Sequence, residues 1–322
     1  MPSHADVLAA FTRGRLAVED HVRESALQDR EWGEEETTVQ LLMKAHPEVR
    51  YVEFARTHEG QVGADWLWWF VDLTGECFGL LVQAKKLKPI KTGFTVDFKH
   101  PDNTSKQMAD LLRTADRFNV PAVYALYCGD LTYRGGARHC PACASRQEGV
   151  PQVDPSCLRC ERASILLLPA LAAQQLAVCA PRQAGLKAFS IGLPLEDAID
   201  RNVFTPEIKD SNLYQLRGEL RKFLEDRQYG PREIAKAIFD IVSKMGSGVF
   251  DQVMERELPM ILNRDAVFRT VPADRAYFSA PYYADVLCGL RRRLPKYVEP
   301  VMNGAGPPVG AERLAGMVLV HL

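Results

Sequence analysis

Apolar and polar positions alternate in two distinct rhythms along this chain. Val7, Leu8, Phe11, Leu16 and Val18 are spaced among many charges over residues 5–30, which predicts one or two amphipathic helices. A further helix follows Gly33, carries Glu34, Glu35 and Glu36 in its first turn, and ends at Pro47. The rhythm then shortens, and residues 51–55, 66–73 and 78–84 read as three strands, the last two joined by a turn at Gly75-Glu76. Residues 104–118 return to helical spacing, with Met108, Leu111, Leu112 and Ala115 on one stripe, and residues 121–127 read as a buried strand. Residues 164–168 form another strand-like run. Beyond about residue 200 the pattern is mainly helical. Ser211 can cap a helix bearing Leu213, Leu216, Leu220, Phe223 and Leu224, and Pro231 can start one that ends near Gly246. Residues 317–320 look like a late strand returning to the core.

Chemistry enters at the hairpin. Asp65 opens the second strand, and eighteen residues later Gln83 and Lys85 close the third. Residues two apart on a strand share a face, so Gln83 and Lys85 project together while Ala84 turns away. Pairing of the two strands would bring Asp65 beside them, gathering a carboxylate, a carboxamide oxygen and an ammonium group. That set suits a hard divalent cation and an activated water. The alternative is that Asp65 caps a turn and Lys85 is a solvated strand end.

Asp65, Gln83 and Lys85 resemble the PD-(D/E)XK nuclease superfamily, in the Gln-x-Lys variant of Mrr-like restriction endonucleases. The resemblance covers roughly residues 31–130, and the order strand, strand, strand, helix, strand fits that family's core. Gly63-Ala64-Asp65 stands where the family name suggests Pro-Asp, and Gln83 where it suggests an acid. The implied fold is an α/β, restriction-endonuclease-like mixed sheet flanked by helices. The implied activity is Mg²⁺-dependent (or Mn²⁺-dependent) endonucleolytic hydrolysis of DNA, duplex rather than single-stranded by default, in restriction or anti-phage defence. The family often draws another acid from the preceding helix, and here Glu35 is the first choice, with Glu36 next. Glu35, Asp65 and Gln83 would hold the Mg²⁺, and Lys85 would hold the attacking water or stabilise charge on phosphorus. A homodimer is expected if both strands are cut, and a defence-system partner is a further expectation. The rival is a zinc-stabilised nucleic-acid- or protein-binding module that keeps the fold without catalysis.

A second metal is expected from Cys140-x-x-Cys143, a thirteen-residue spacer and Cys157-x-x-Cys160. Four thiolates at this spacing suit a closed, structural Zn²⁺ site, which would order a polar, proline-containing segment. His139 adjoins the set, and Arg134, Arg138, Arg146, Arg159 and Arg162 surround it as candidate phosphate contacts. Cys77, Cys128, Cys179 and Cys288 are isolated and read as small core residues. Gln107 and Tyr127 are secondary site candidates; Phe94 and Phe98 read as packing residues.

Composition sets outer limits. With 322 residues, 47% of them apolar, the chain can bury a sizeable core. Formal net charge is −1, so the whole chain is no polycation, although Lys85, Lys86, Lys88 and Lys91 cluster after the hairpin and Arg291, Arg292 and Arg293 run together later. No apolar run approaches the roughly 20 residues that span a bilayer, and no leader is recognisable, so the expectation is a cytoplasmic protein with no membrane partner. A GxxxxGK[ST] loop is missing, which argues against ATP-driven translocation. Residues 1–200 are expected to form the nuclease-like domain, with the zinc-knuckle insertion at about 134–163. Residues 201–322 form a mainly helical region, either free-standing or packed on the core.

Overall fold

The computed structural model describes residues 2–54, 65–90, 93–98, 106–134, 157–209, 216, 218–246, 259–275, 277–311 and 314–322. Helices α1 (His4–Leu27) and α2 (Glu34–Ala45) lead into strands β1 (Val49–Glu53), β2 (Asp65–Val71) and β3 (Cys77–Lys86). The short strands β4 (Lys88–Ile90) and β5 (Gly93–Thr95) follow, then α3 (Lys106–Phe118), β6 (Ala122–Tyr127), α4 (Leu158–Arg162) and β7 (Ile165–Pro169). After these come α5 (Ala170–Cys179), α6 (Ala184–Ile191), β8 (Leu193–Pro194), α7 (Glu219–Glu225) and α8 (Pro231–Gly246). The chain closes with β9 (Met260–Ile261), β10 (Thr270–Val271), α9 (Tyr282–Leu287), β11 (Leu290–Arg291), α10 (Val298–Met302) and β12 (Leu314–His321).

One mixed sheet of eight strands organises these elements, in the order β1-β12-β2-β3-β6-β7-β8, with β11 paired to β3. β2 and β3 are antiparallel, β3 and β6 parallel, and α3 makes the crossover between them. The late strand, β12, enters between β1 and β2, antiparallel to the first and parallel to the second. Residues 201–322 thus supply a central strand, and α8 packs on β3 and β7.

Alternation along β2 and β3 divides the core in two. Trp66, Trp68, Phe70, Phe78, Leu80, Val82 and Ala84 face α1, α2 and α8. Leu67, Trp69, Val71, Cys77 and Leu81 face the other way, toward α3, α5, α6 and α10. Gly79 shows why a side chain is missing on that second face: a Cβ there would lie 2.6 Å from the Trp69 indole and 2.7 Å from Val120. The buried stripe of α8, including Ile234, Ile238, Phe239 and Val242, contributes about 1.5–3 kcal/mol per large side chain from burial.

Several expectations need adjustment. The region before α2 is one 24-residue helix, started by a Ser3/Asp6 capping box, and Leu16 lies on its exposed side. The helix expected from Ser211 is described only from Glu219, because residues 210–215 lie outside the described set. Cys77 and Cys128 are buried and Cys288 is half-buried, but Cys179, at the last turn of α5, is exposed. Phe94 and Phe98 are buried, Phe94 against Phe189 and Phe98 against Tyr124.

Candidate functional site at the end of the β2–β3 pair

The backbone register places Asp65 directly opposite Gln83. Position 65 therefore shares the face of Gln83 and Lys85, and that face is the one covered by α3. Gln83 and Lys85 are 3% and 9% exposed, so neither is a solvated strand end. Across β6 their neighbours are Tyr124 and Leu126, both fully buried. The Lys85 ammonium donates to Oε1 of Gln107, from the first turn of α3, at 3.0 Å. Among the described residues, no carboxylate forms an ion pair with it. Gln107, a secondary candidate from the sequence, is half-buried and meets Lys85 through this bond.

The acids of α2 approach from the opposite face. Glu34 Oε1 accepts the backbone N–H of Lys86 at 2.8 Å, which ties the first turn of α2 to the end of β3. Glu35 is half-buried in the same turn, and Glu36 is exposed. Thr38 anchors this turn from within: its hydroxyl lies 3.1 Å from the Glu34 carbonyl and 2.8 Å from the Tyr127 hydroxyl. Tyr127 is wholly buried on the α2 side of the sheet, and burial pushes its hydroxyl pKa up. It serves α2 rather than the Gln83–Lys85 face. Lys86, on that α2 side, lies 4.7 Å from the centre of the buried Trp32 ring.

The cysteine motif is only half within the described residues. Cys157 caps α4 and Cys160 sits buried in its first turn, while Cys140 and Cys143 lie outside. The insertion joins two adjacent antiparallel strands, β6 and β7. Among the described residues no cluster of three or more His, Cys, Asp or Glu side chains that would hold a metal is found.

Arginines near the insertion are engaged internally. Arg134 donates to the Cys160 carbonyl at 3.0 Å, Arg159 to the carbonyls of Ser190 and Gly192, and Arg162 to Asp197 and Asp200. Arg138 and Arg146 lie outside the described residues. In the later run Arg291 is buried against Trp69 and the carbonyls of Phe118 and Asn119, Arg292 reaches the Val267 carbonyl, and Arg293 forms an exposed surface pair with Asp265.

A larger polar network lies under α1, and its residues escaped the sequence reading. Arg15, 3% exposed, meets Glu19 at 2.6 Å, Glu161 at 2.9 Å and Glu196 at 2.7 Å. Thr12 donates to Glu196 at 2.6 Å, and the Ser164 hydroxyl donates to Glu19. Burial raises the Glu196 carboxyl pKa against the pull of Thr12 and Arg15. The i, i+4 spacing of Arg15 and Glu19 was the one available signal, and it is common on solvated helices.

These features define a mixed-sheet α/β protein whose central antiparallel pair ends in a buried carboxamide and ammonium, opposite an acidic strand start. The chain belongs to DUF6615, a family of unknown function whose profile matches residues 6–314. No curated protein and no solved structure matches it. Among the described residues, no helix is long and apolar enough to cross a membrane.

Proposed function

We propose that this protein is a divalent-metal-dependent endonuclease of the PD-(D/E)XK type that hydrolyses DNA phosphodiester bonds in restriction or anti-phage defence. One observation carries the reading: a buried lysine with a neutral hydrogen-bond partner shares a sheet face with Gln83 and with position 65 across the strand pair. A buried charge without a counter-charge is costly to a fold and is retained where it acts.

The oxygen donors of the region fit Mg²⁺ or Mn²⁺ by type: Asp65, the Gln83 carboxamide and an acid from the first turn of α2. Glu35 is the proposed helix acid, and Glu34, which already touches β3, competes with it. The bound cation would polarise the scissile phosphate and lower the pKa of the attacking water. Lys85 would stabilise the charge that develops on the phosphoryl oxygens, with Gln107 fixing its ammonium. For the insertion, Cys140, Cys143, Cys157 and Cys160 are proposed to bind one structural Zn²⁺, with Cys157 and Cys160 presented by the first turn of α4. Duplex DNA is the proposed substrate, a homodimer the proposed cutting form, and the cytoplasm the proposed location.

The deciding measurement is cleavage of plasmid and linear duplex DNA, modified and unmodified, with Mg²⁺, Mn²⁺ or EDTA, beside Asp65→Ala and Lys85→Ala. Metal-dependent cutting by the parent alone supports the reading. Asp65→Ala cutting as well as the parent would remove the assigned site. DNA binding by a folded parent that never cuts would favour the binding module.

A further inference from the structure

We infer that the outer face of the β4–β5 hairpin is a duplex-DNA contact surface that grips the phosphate backbone beside the reacting position. The inference rests on the nuclease reading in taking the end of β3 as that position. β3 continues to pair with β6 through Leu87, whose N–H donates to the Tyr127 carbonyl at 2.9 Å, and β4 begins at the next residue. Lys88 is three residues beyond Lys85, at most about 10 Å along an extended chain. The hairpin register is Lys88 with Thr95, Pro89 with Phe94 and Ile90 with Gly93. Alternation therefore sorts its side chains. Phe94 turns inward onto Phe189, with ring centres 4.8 Å apart, while Lys88, Ile90 and Thr95 turn outward and are exposed.

Two features make this face a binding surface rather than a loose loop. It is rigidly seated: a Cβ on Gly185 of α6 would lie 2.4 Å from the Phe94 carbonyl, so helix and hairpin backbones are in direct contact. It also combines an ammonium with Ile90, a β-branched apolar side chain left 49% exposed. Of the other cations of the cluster, Lys85 is committed to Gln107 and Lys86 to Trp32, and Lys91 lies outside the described residues. Among the described residues, no carboxylate pairs with Lys88. The occupant that matches an exposed, unpaired cation beside a phosphodiester-cleaving site is the neighbouring stretch of the same polyanion.

The test is binding of a short fluorescein-labelled DNA duplex, followed by anisotropy in EDTA over a series of KCl concentrations. Parent, Lys88→Glu, Lys88→Ala and a control, Lys222→Glu on the exposed side of α7, are compared. Both Lys88 variants should bind more weakly, equally across duplex sequences, and the slope of log K against log[salt] should be shallower by about 0.9, one phosphate contact. The control should keep the parent's slope. Unchanged slopes in both Lys88 variants overturn the inference, as does a parent that fails to bind duplex. Lys222→Glu weakening binding as much as Lys88→Glu would reduce the effect to net charge and also overturn it. Mg²⁺-dependent cleavage by the parent, run beside these titrations, scores the nuclease reading separately.

Discussion

Two buried polar regions of this protein solve the same problem in opposite ways. Under α1, the Arg15 guanidinium is enclosed by Glu19, Glu161 and Glu196, and Arg162 is bracketed by Asp197 at 2.7 Å and Asp200 at 2.8 Å. Each guanidinium there is answered by carboxylates, three for Arg15 and two for Arg162, which is what burial demands of a cation that only holds structure. At the end of β3 the Lys85 ammonium is equally sheltered, yet its partner among the described residues is the neutral Gln107 oxygen. Five carboxylates around two guanidiniums leave no positive charge there to meet a phosphate. Among the described residues the end of β3 keeps a cation with no carboxylate partner, and that is why the functional site is assigned there despite the larger charge count under α1.

The sharpest way to break the comparison is to replace the two cations with the same apolar side chain. Arg15→Met leaves buried carboxylates without their counter-charge and should lower stability by about 3–5 kcal/mol, read from urea unfolding midpoints. Lys85→Met removes a charge with no ionic partner among the described residues, so its unfolding midpoint should stay equal to the parent's or rise. Metal-dependent cleavage by Lys85→Met should nevertheless fall by about 100-fold or more, the range for loss of one transition-state charge donor. If Lys85→Met were destabilised as strongly as Arg15→Met, Lys85 would be a structural ion with an unrecognised partner and the contrast would collapse.

A smaller effect sharpens the α2 side of the site. Thr38→Val strands the Tyr127 hydroxyl in a buried setting and should cost about 1–3 kcal/mol, whereas Thr38→Val with Tyr127→Phe should recover most of that loss. If the acids of this turn serve the metal, the single variant should also need more Mg²⁺ for half-maximal cleavage. Glu34→Gln, Glu35→Gln and Glu36→Gln assayed together assign the helix acid. Inactivity confined to Glu36→Gln would displace both Glu34 and Glu35.

Much of the architecture was legible because local rhythm dictates it. The α3 stripe and the span from Pro231 to Gly246 follow from spacing and from Pro at the helix start. The register of Asp65 against Gln83 follows from a short turn between two apolar strands. What escaped depends on contacts between residues far apart in sequence. The position of β12 between β1 and β2 is set by which faces remain to be buried, and residues 317–320 alone name no partner. The same holds for Arg15 with Glu196 and for Lys85 with Gln107. Glu34 illustrates the limit in one turn of helix. Spacing from Val39 and Leu42 favours Glu35, but the buried face of α2 runs through Thr37, Thr38, Leu41, Leu42 and Ala45, which puts Glu34 on the inward stripe, and its carboxylate accepts the Lys86 N–H at the end of β3.

The finest test lies within the closed network, where one guanidinium faces two carboxylates shifted in opposite directions. Burial alone would raise the Asp200 carboxyl, but the Asn202 N–H and Arg162 outweigh it and hold the pKa below its ordinary value. Burial dominates at Asp197 and raises its carboxyl despite Arg162. The signs follow from proton counting. For Asp200 the unfolded chain binds the proton more readily, so its contribution is present above the ordinary carboxylate range near pH 4 and is lost as pH falls through the lowered folded value. For Asp197 the folded state binds the proton more readily, so acidification through the raised folded value favours folding. Asp200→Asn should therefore flatten the acid limb of the stability–pH curve, and Asp197→Asn should steepen it, both measured by urea unfolding from pH 6 down to about pH 3. Equal changes of the same sign would mean that Arg162 governs both carboxylates alike and that the backbone N–H of Asn202 contributes nothing to the difference.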